Sequence, residues 1–221
     1  MGMLVVASAA FLLTHLVSGT PLRSKLVATI GEWPYRGLYS AVAFITLGWA
    51  IWSYAHAPAQ ALLWTPLRFL PVFIMPFAFI LAVCGLAGNP TAVGAEKLLR
   101  NEAPARGMIR ITRHPFMWGV MLWAGAHILA NGDAKSTVFF GGLLLVALFG
   151  TLSQEKRKAR ALGPDWQRFM AVTSHVPFVA IAQKRNRLVW REIGWVRPAI
   201  GLVLFVAFFA LHPWLFGVRP Y

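Results

Sequence analysis

Long apolar runs alternate with short polar or basic connections along the whole chain. Six runs stand out: Met3–Val17, Gly37–His56, Phe69–Gly88, Pro115–Ala130, Thr137–Leu152 and Pro198–Phe216. As helices rising ~1.5 Å per residue they measure roughly 22–30 Å, against a hydrocarbon core of ~30 Å. The pattern predicts an all-α fold: a polytopic membrane helix bundle of about six transmembrane helices, forming one domain over 1–221. Runs four and five are joined by Asn131-Gly132-Asp133, a tight-turn signal. They predict a short helical hairpin over Pro115–Leu152 whose tip stays below the outer surface. Ser18-Gly19-Thr20-Pro21 stops run one. Pro71 and Pro76 kink the first half of run three. Gly119, Gly125, Gly141, Gly142 and Gly150 would let the hairpin helices pack closely.

Composition agrees with a membrane. Of the 221 residues 58% are hydrophobic, above the ~45–50% of soluble domains, and mean hydropathy is +0.61. The formal net charge of +14 raises nucleic acid as a partner, but the placement of the charges argues against it. Of the 21 Lys and Arg, all but Arg68, Lys135 and Arg219 fall in the connections after runs one, three and five. That asymmetry is the positive-inside pattern of a multi-pass inner-membrane protein with both termini periplasmic. The basic residues then meet phospholipid, and the lipid bilayer is the first partner. In the connection 153–197, Lys184-Arg185-Asn186-Arg187 before Leu188-Val189-Trp190 reads as an interfacial amphipathic helix. Cys84 is alone, which excludes a disulfide framework or a cysteine metal cluster. Met1-Gly2-Met3-Leu4 has no basic n-region, which argues against a cleaved signal peptide.

The candidate chemistry lies in the histidines. His56, His175 and His212 sit in loops or at run ends, where a solvated imidazole needs no special explanation. His15 and His127 lie inside apolar runs without a nearby acid, so each needs a hydrogen-bond partner or a metal. Two intramembrane histidines are too few for zinc, which takes three or four protein ligands, and suit haem, whose porphyrin supplies four nitrogens. Phe116, Val120, Trp123 and His127 share a helix face that would pack on a macrocycle. On this topology His15 and His127 are offset along the membrane normal by about 10 Å. His114, at the cytoplasmic mouth, matches His15 better in depth.

Ile109-Arg110-Ile111-Thr112-Arg113-His114-Pro115-Phe116-Met117-Trp118-Gly119, Leu122-Trp123-Ala124-Gly125-Ala126-His127 and Asn131-Gly132-Asp133 together resemble the NnrU family. So do Thr14-His15 with Arg23, and Gly163-Pro164-Asp165-Trp166 leading to Thr173-Ser174-His175-Val176-Pro177-Phe178. The resemblance implies a bacterial inner-membrane protein of nitrite and nitric oxide metabolism, partnered by components of a nitrogen-oxide reductase system. The family also includes zeta-carotene isomerase, which implies haem b held by the positions of His15 and His127. Arg113 or Arg110 would then pair with propionates at the mouth, beside His114. Ala124 stands where the isomerase branch has a cysteine, which puts carotenoid isomerisation in question.

A more distant likeness, in Arg113-His114-Pro115, Gly119, Gln154-Glu155 and Val176-Pro177, is to isoprenylcysteine carboxyl methyltransferases. It implies S-adenosylmethionine near Arg113, His114 and Glu155, although Met117 and Gln154 depart from that motif. A third reading is a non-catalytic assembly or regulatory factor whose buried histidines are structural.

Overall fold

The computed structural model describes every residue except Val93 and Glu102, and among the described residues it is helical without a strand. All six apolar runs are helical. They are α1 (Gly2–Val17), α3 (Glu32–Ala55), α4 (Leu70–Gly85), α5 (Pro115–Asn131), α6 (Ala134–Val172) and α9 (Val196–Phe216). Between them lie α2 (Pro21–Ile30), α7 (Val179–Ala182) and α8 (Trp190–Ile193), with 3₁₀ turns at Glu96–Arg100 and Gly107–Arg110.

Three of these helices, α3, α6 and α9, are long and apolar enough to cross a membrane. A fourth crossing arises if α1 and α2, bent by 72° at Ser18-Gly19-Thr20, form one span. The outward faces of α3 and α9 are apolar, with Phe44 75% and Val203 67% exposed. α4 and α5, at 16 and 17 residues, reach only about 24–26 Å.

The chain divides into two compact units. The first comprises Met1–Leu70 and Ala124–Ser153. Its core stripe on α1 is Leu4, Ala7, Ser8 and Phe11, the spacing of one helix face turned towards α3. His15, four residues beyond Phe11, continues that face. Ser8 packs against Gly142, and Gly19 approaches Ser153. α1 and α6 therefore run in the same direction and in step.

The hairpin turn between α5 and α6 also belongs to this unit. Gly132 has φ +72° and would drive a Cβ to 2.7 Å from the Trp64 carbonyl. The preceding connection covers the turn, with Leu63 N donating to Gly132 O at 2.7 Å and Leu67 N to Leu129 O at 2.9 Å. Asp133 caps α6, accepting from Ser136 N at 2.8 Å and Ser136 Oγ at 3.0 Å.

The second unit comprises Pro71–Trp123 and Gln154–Tyr221. Glycines govern its packing: Gly119 brings α5 onto Ala78 and Ala82 of α4, and Gly201 brings α9 onto Ile80. Of the five glycines expected to mediate close packing, Gly119 does so, whereas a Cβ at Gly142 would lie 3.5 Å from Ser8 Cβ, an ordinary contact. A Cβ at Gly125, Gly141 or Gly150 would meet nothing within 4 Å.

The expected hairpin is corrected in one respect: its second helix does not stop at Leu152. Gln154-Glu155-Lys156-Arg157-Lys158 continues it, because straight-chain residues keep helical order once propagation is under way. The helix breaks only at Gly163, which takes φ 49° ahead of Pro164, and resumes to Val172. The fully buried Trp166 and Phe169 follow the break and pack with Leu99, Ala105 and Ile109. Where an amphipathic surface helix was expected before Arg197, only the short α7 and α8 form.

Candidate functional site

Four side chains of the second unit converge beside the start of α5. Arg113 and His114 precede Pro115, which begins the helix; Glu155 projects from α6; and His175 lies in the turn after α6. All contacts meet at one oxygen. Glu155 Oε1 lies 2.8 Å from Arg113 Nε, 2.9 Å from His114 Nε2 and 3.6 Å from His175 Nδ1. The side chains are 8%, 1%, 16% and 18% exposed for Arg113, His114, Glu155 and His175, so the cluster is largely shielded from solvent. Burial holds the His114 imidazole below its usual pKa range, with the Glu155 bond opposing the shift.

Backbone and hydroxyl contacts hold this arrangement in place. Arg113 N donates to Ser174 O at 3.0 Å, and Phe178 N to Ile111 O at 2.9 Å, tying the two segments together. The His175 carbonyl accepts from Thr112 Oγ1 at 2.6 Å and Trp118 Nε1 at 2.8 Å. The Asn89–Ala92 loop is fastened to α6 by Gln154 Nε2 donating to Thr91 O at 3.0 Å and Lys158 Nζ to Pro90 O at 3.1 Å. Thr91 Oγ1 closes the ring with a bond to Arg113 O at 3.2 Å.

Arg110 lies apart from this cluster. It forms a two-point pair with Glu192, Nε to Oε2 at 2.7 Å and Nη2 to Oε1 at 2.9 Å, and donates to Asn186 Oδ1 at 2.7 Å. Arg110 in turn lowers the Glu192 carboxyl to about 2. Both guanidiniums expected to meet propionates are thus engaged with carboxylates.

His15 and His127 belong to the first unit. His15 Nδ1 donates to Phe11 O at 2.9 Å, so in the neutral ring Nε2 carries the free lone pair. Its ring packs on Phe11 and Tyr39, with centroids 4.4 and 5.7 Å away. The exposed His56 makes the same local bond to Trp52 O, so what distinguishes His15 is its inward face. The His127 ring lies against Phe140, 4.9 Å between centroids. The Ser8–Gly142 and Gly19–Ser153 contacts set His15 level with Phe149, nine residues along α6 from Phe140. At ~1.5 Å per residue this is an axial offset on the order of 10 Å, whereas two nitrogens on one metal sit about 4 Å apart.

A family model described as NnrU protein matches residues 3–220. The chain belongs to the NnrU family. This NnrU chain is 27% identical over 165 residues to "15-cis-zeta-carotene isomerase, chloroplastic" of Arabidopsis thaliana, covering 72% of itself and 45% of that protein. To the protein of the same description from Zea mays it is 29% identical over 181 residues, covering 76% and 47%. The chain thus spans about half the length of the curated relatives it matches. No solved structure matches it.

The sequence of this NnrU chain singled out Arg113 and His114, and placed Glu155 near them only through the methyltransferase likeness; His175 was set aside as a solvated loop residue. The missed signal was scarcity. With only 7 Asp and Glu in the chain, an acid next to the membrane runs is a strong organiser of nearby imidazoles. The cluster can hold a proton, a cation or a polar ligand head in a shielded place. The His15 surroundings can hold a metal through a single nitrogen.

Proposed function

We propose that this protein is a haem b-binding membrane protein of the isomerase type, with His15 as the iron ligand. One observation carries the reading: His15 presents a free Nε2 on the inward face of α1 while Phe11 O holds Nδ1. An accepting carbonyl on the second ring nitrogen is the common support of a metal-binding histidine. Phe11 and Tyr39 would exclude water from that ring. On this reading His127, expected from the sequence to lie about 10 Å away along the axis, is not the ligand. Haem held by His15 would supply an iron able to bind a small ligand such as nitric oxide.

The relatives' names support an apolar substrate dissolved in the bilayer. Ala124, fully buried three residues before His127, offers no thiol there. The physiological setting we propose is nitrite and nitric oxide metabolism in a bacterial inner membrane, alongside a nitrogen-oxide reductase system. Six crossings and periplasmic termini belong to the same proposal. The test is an absorption spectrum of the full chain after haem-supplemented expression, read with His15→Ala and His127→Ala.

The meeting of Arg113, His114 and Glu155 favours a second reading, binding of S-adenosylmethionine for methyl transfer. Calorimetry with that compound tests it, since the haem reading expects no heat.

A further inference from the structure

We propose that His114, Glu155 and His175 bind one divalent transition-metal ion, zinc or ferrous iron, in a two-histidine, one-carboxylate site. This inference stands apart from the haem reading, because its ligands lie on other segments and in the other compact unit.

The three ligand atoms lie within 4.8 Å of one another. Around a tetrahedral ion at ~2.1 Å, pairs of donors sit about 3.3 Å apart. The His114 and His175 nitrogens are 2.9 and 3.6 Å from Glu155 Oε1, on either side of that spacing. Small rotamer shifts bring all three to bonding distance.

The state of His175 points to a ligand. Its Nδ1 is buried without a hydrogen-bond partner, since 3.6 Å is too long for a bond to Glu155. Such an atom carries a desolvation cost that a cation would remove. Meanwhile two side-chain donors, Thr112 and Trp118, hold the His175 carbonyl in place. Among the described residues, the one side-chain hydrogen bond to Glu155 comes from His114 at 2.9 Å, and it is complete without His175.

Arg113 shares Oε1 with the imidazoles. The second carboxylate oxygen, used by none of these contacts, can take either the guanidinium or the ion. Three protein donors leave a coordination place open, which is the pattern of sites that act on a bound water or substrate rather than purely structural ones.

The test uses the full chain in detergent, purified without a polyhistidine tag, stripped with a chelator and titrated with Co²⁺. The proposal expects ligand-field absorption bands that saturate at one ion per chain and are displaced by Zn²⁺. His175→Ala should weaken binding at least tenfold while leaving the Arg113–Glu155 pair intact, and His114→Ala should do likewise. His56→Ala and His15→Ala should titrate as the unchanged chain, which separates this outcome from that of the haem reading. Circular dichroism confirms that each variant is folded. Should Glu155→Gln fail to fold, His175→Ala decides alone. Absence of bands in the folded, unchanged chain would overturn the proposal, as would His175→Ala binding Co²⁺ with undiminished affinity.

Discussion

His114 Nε2 lies 2.9 Å from Glu155 Oε1, joining the residue before α5 to the middle of α6 across 41 positions of sequence. Arg113 Nε lies 2.8 Å from the same oxygen, an ion-pair contact. Removing the charge of Glu155 therefore strips a nearly buried guanidinium and a fully buried imidazole of their shared partner. Breaking one side of a buried ion pair costs about 3–5 kcal/mol. Glu155→Gln should lower the thermal midpoint of the detergent-solubilised protein by many degrees. A midpoint unchanged within a degree would mean that the pair is solvated and contributes little.

Much of this arrangement was legible in the sequence, and the parts that were not have physical causes. The six apolar runs all became helices, because apolar length and Gly-Pro stops are local signals. The reach of α6 past Leu152 was missed because the switch from apolar to charged residues was read as a boundary. Charge ends a membrane run without ending a helix, and only Gly163, with its positive φ, breaks this one. Arg113, His114 and Glu155 were legible as a group only through the likeness of Arg113-His114-Pro115 and Gln154-Glu155 to the methyltransferase motif. His175 was not, since its role depends on a loop folding back so that Arg113 N meets Ser174 O, a contact with no local signature.

A paired glycine substitution separates close approach from helix propensity. A Cβ at Gly119 would lie 2.6 Å from the Ala78 carbonyl, so Gly119→Ala must push α4 and α5 apart, at about 1–3 kcal/mol. Gly125→Ala meets nothing within 4 Å and should be neutral or stabilising by up to about 1 kcal/mol. Thermal unfolding of both variants is the check. Equal midpoints would show that the α4–α5 contact is looser than described.

The Arg110–Glu192 pair supplies a pH signature. Glu192 is held at about 2, below its ordinary 4.5, chiefly by its bonds to Arg110. A depressed carboxyl stabilises the fold above its unfolded value, and that contribution is lost as pH falls from about 4.5 towards 2. Glu192→Gln should thus be less stable than the unchanged chain at pH 6, with the gap closing below about pH 3. A gap independent of pH would place its origin in packing rather than in the ion pair.

Haem carried by His15 is most directly tested by the visible absorption spectrum of the full chain, expressed with added haem and purified in detergent. If the free Nε2 on α1 holds the iron, the unchanged protein shows a Soret band that His15→Ala abolishes and His127→Ala retains. A folded protein with no Soret band contradicts haem binding altogether. A band lost in His127→Ala but kept in His15→Ala contradicts the choice of ligand.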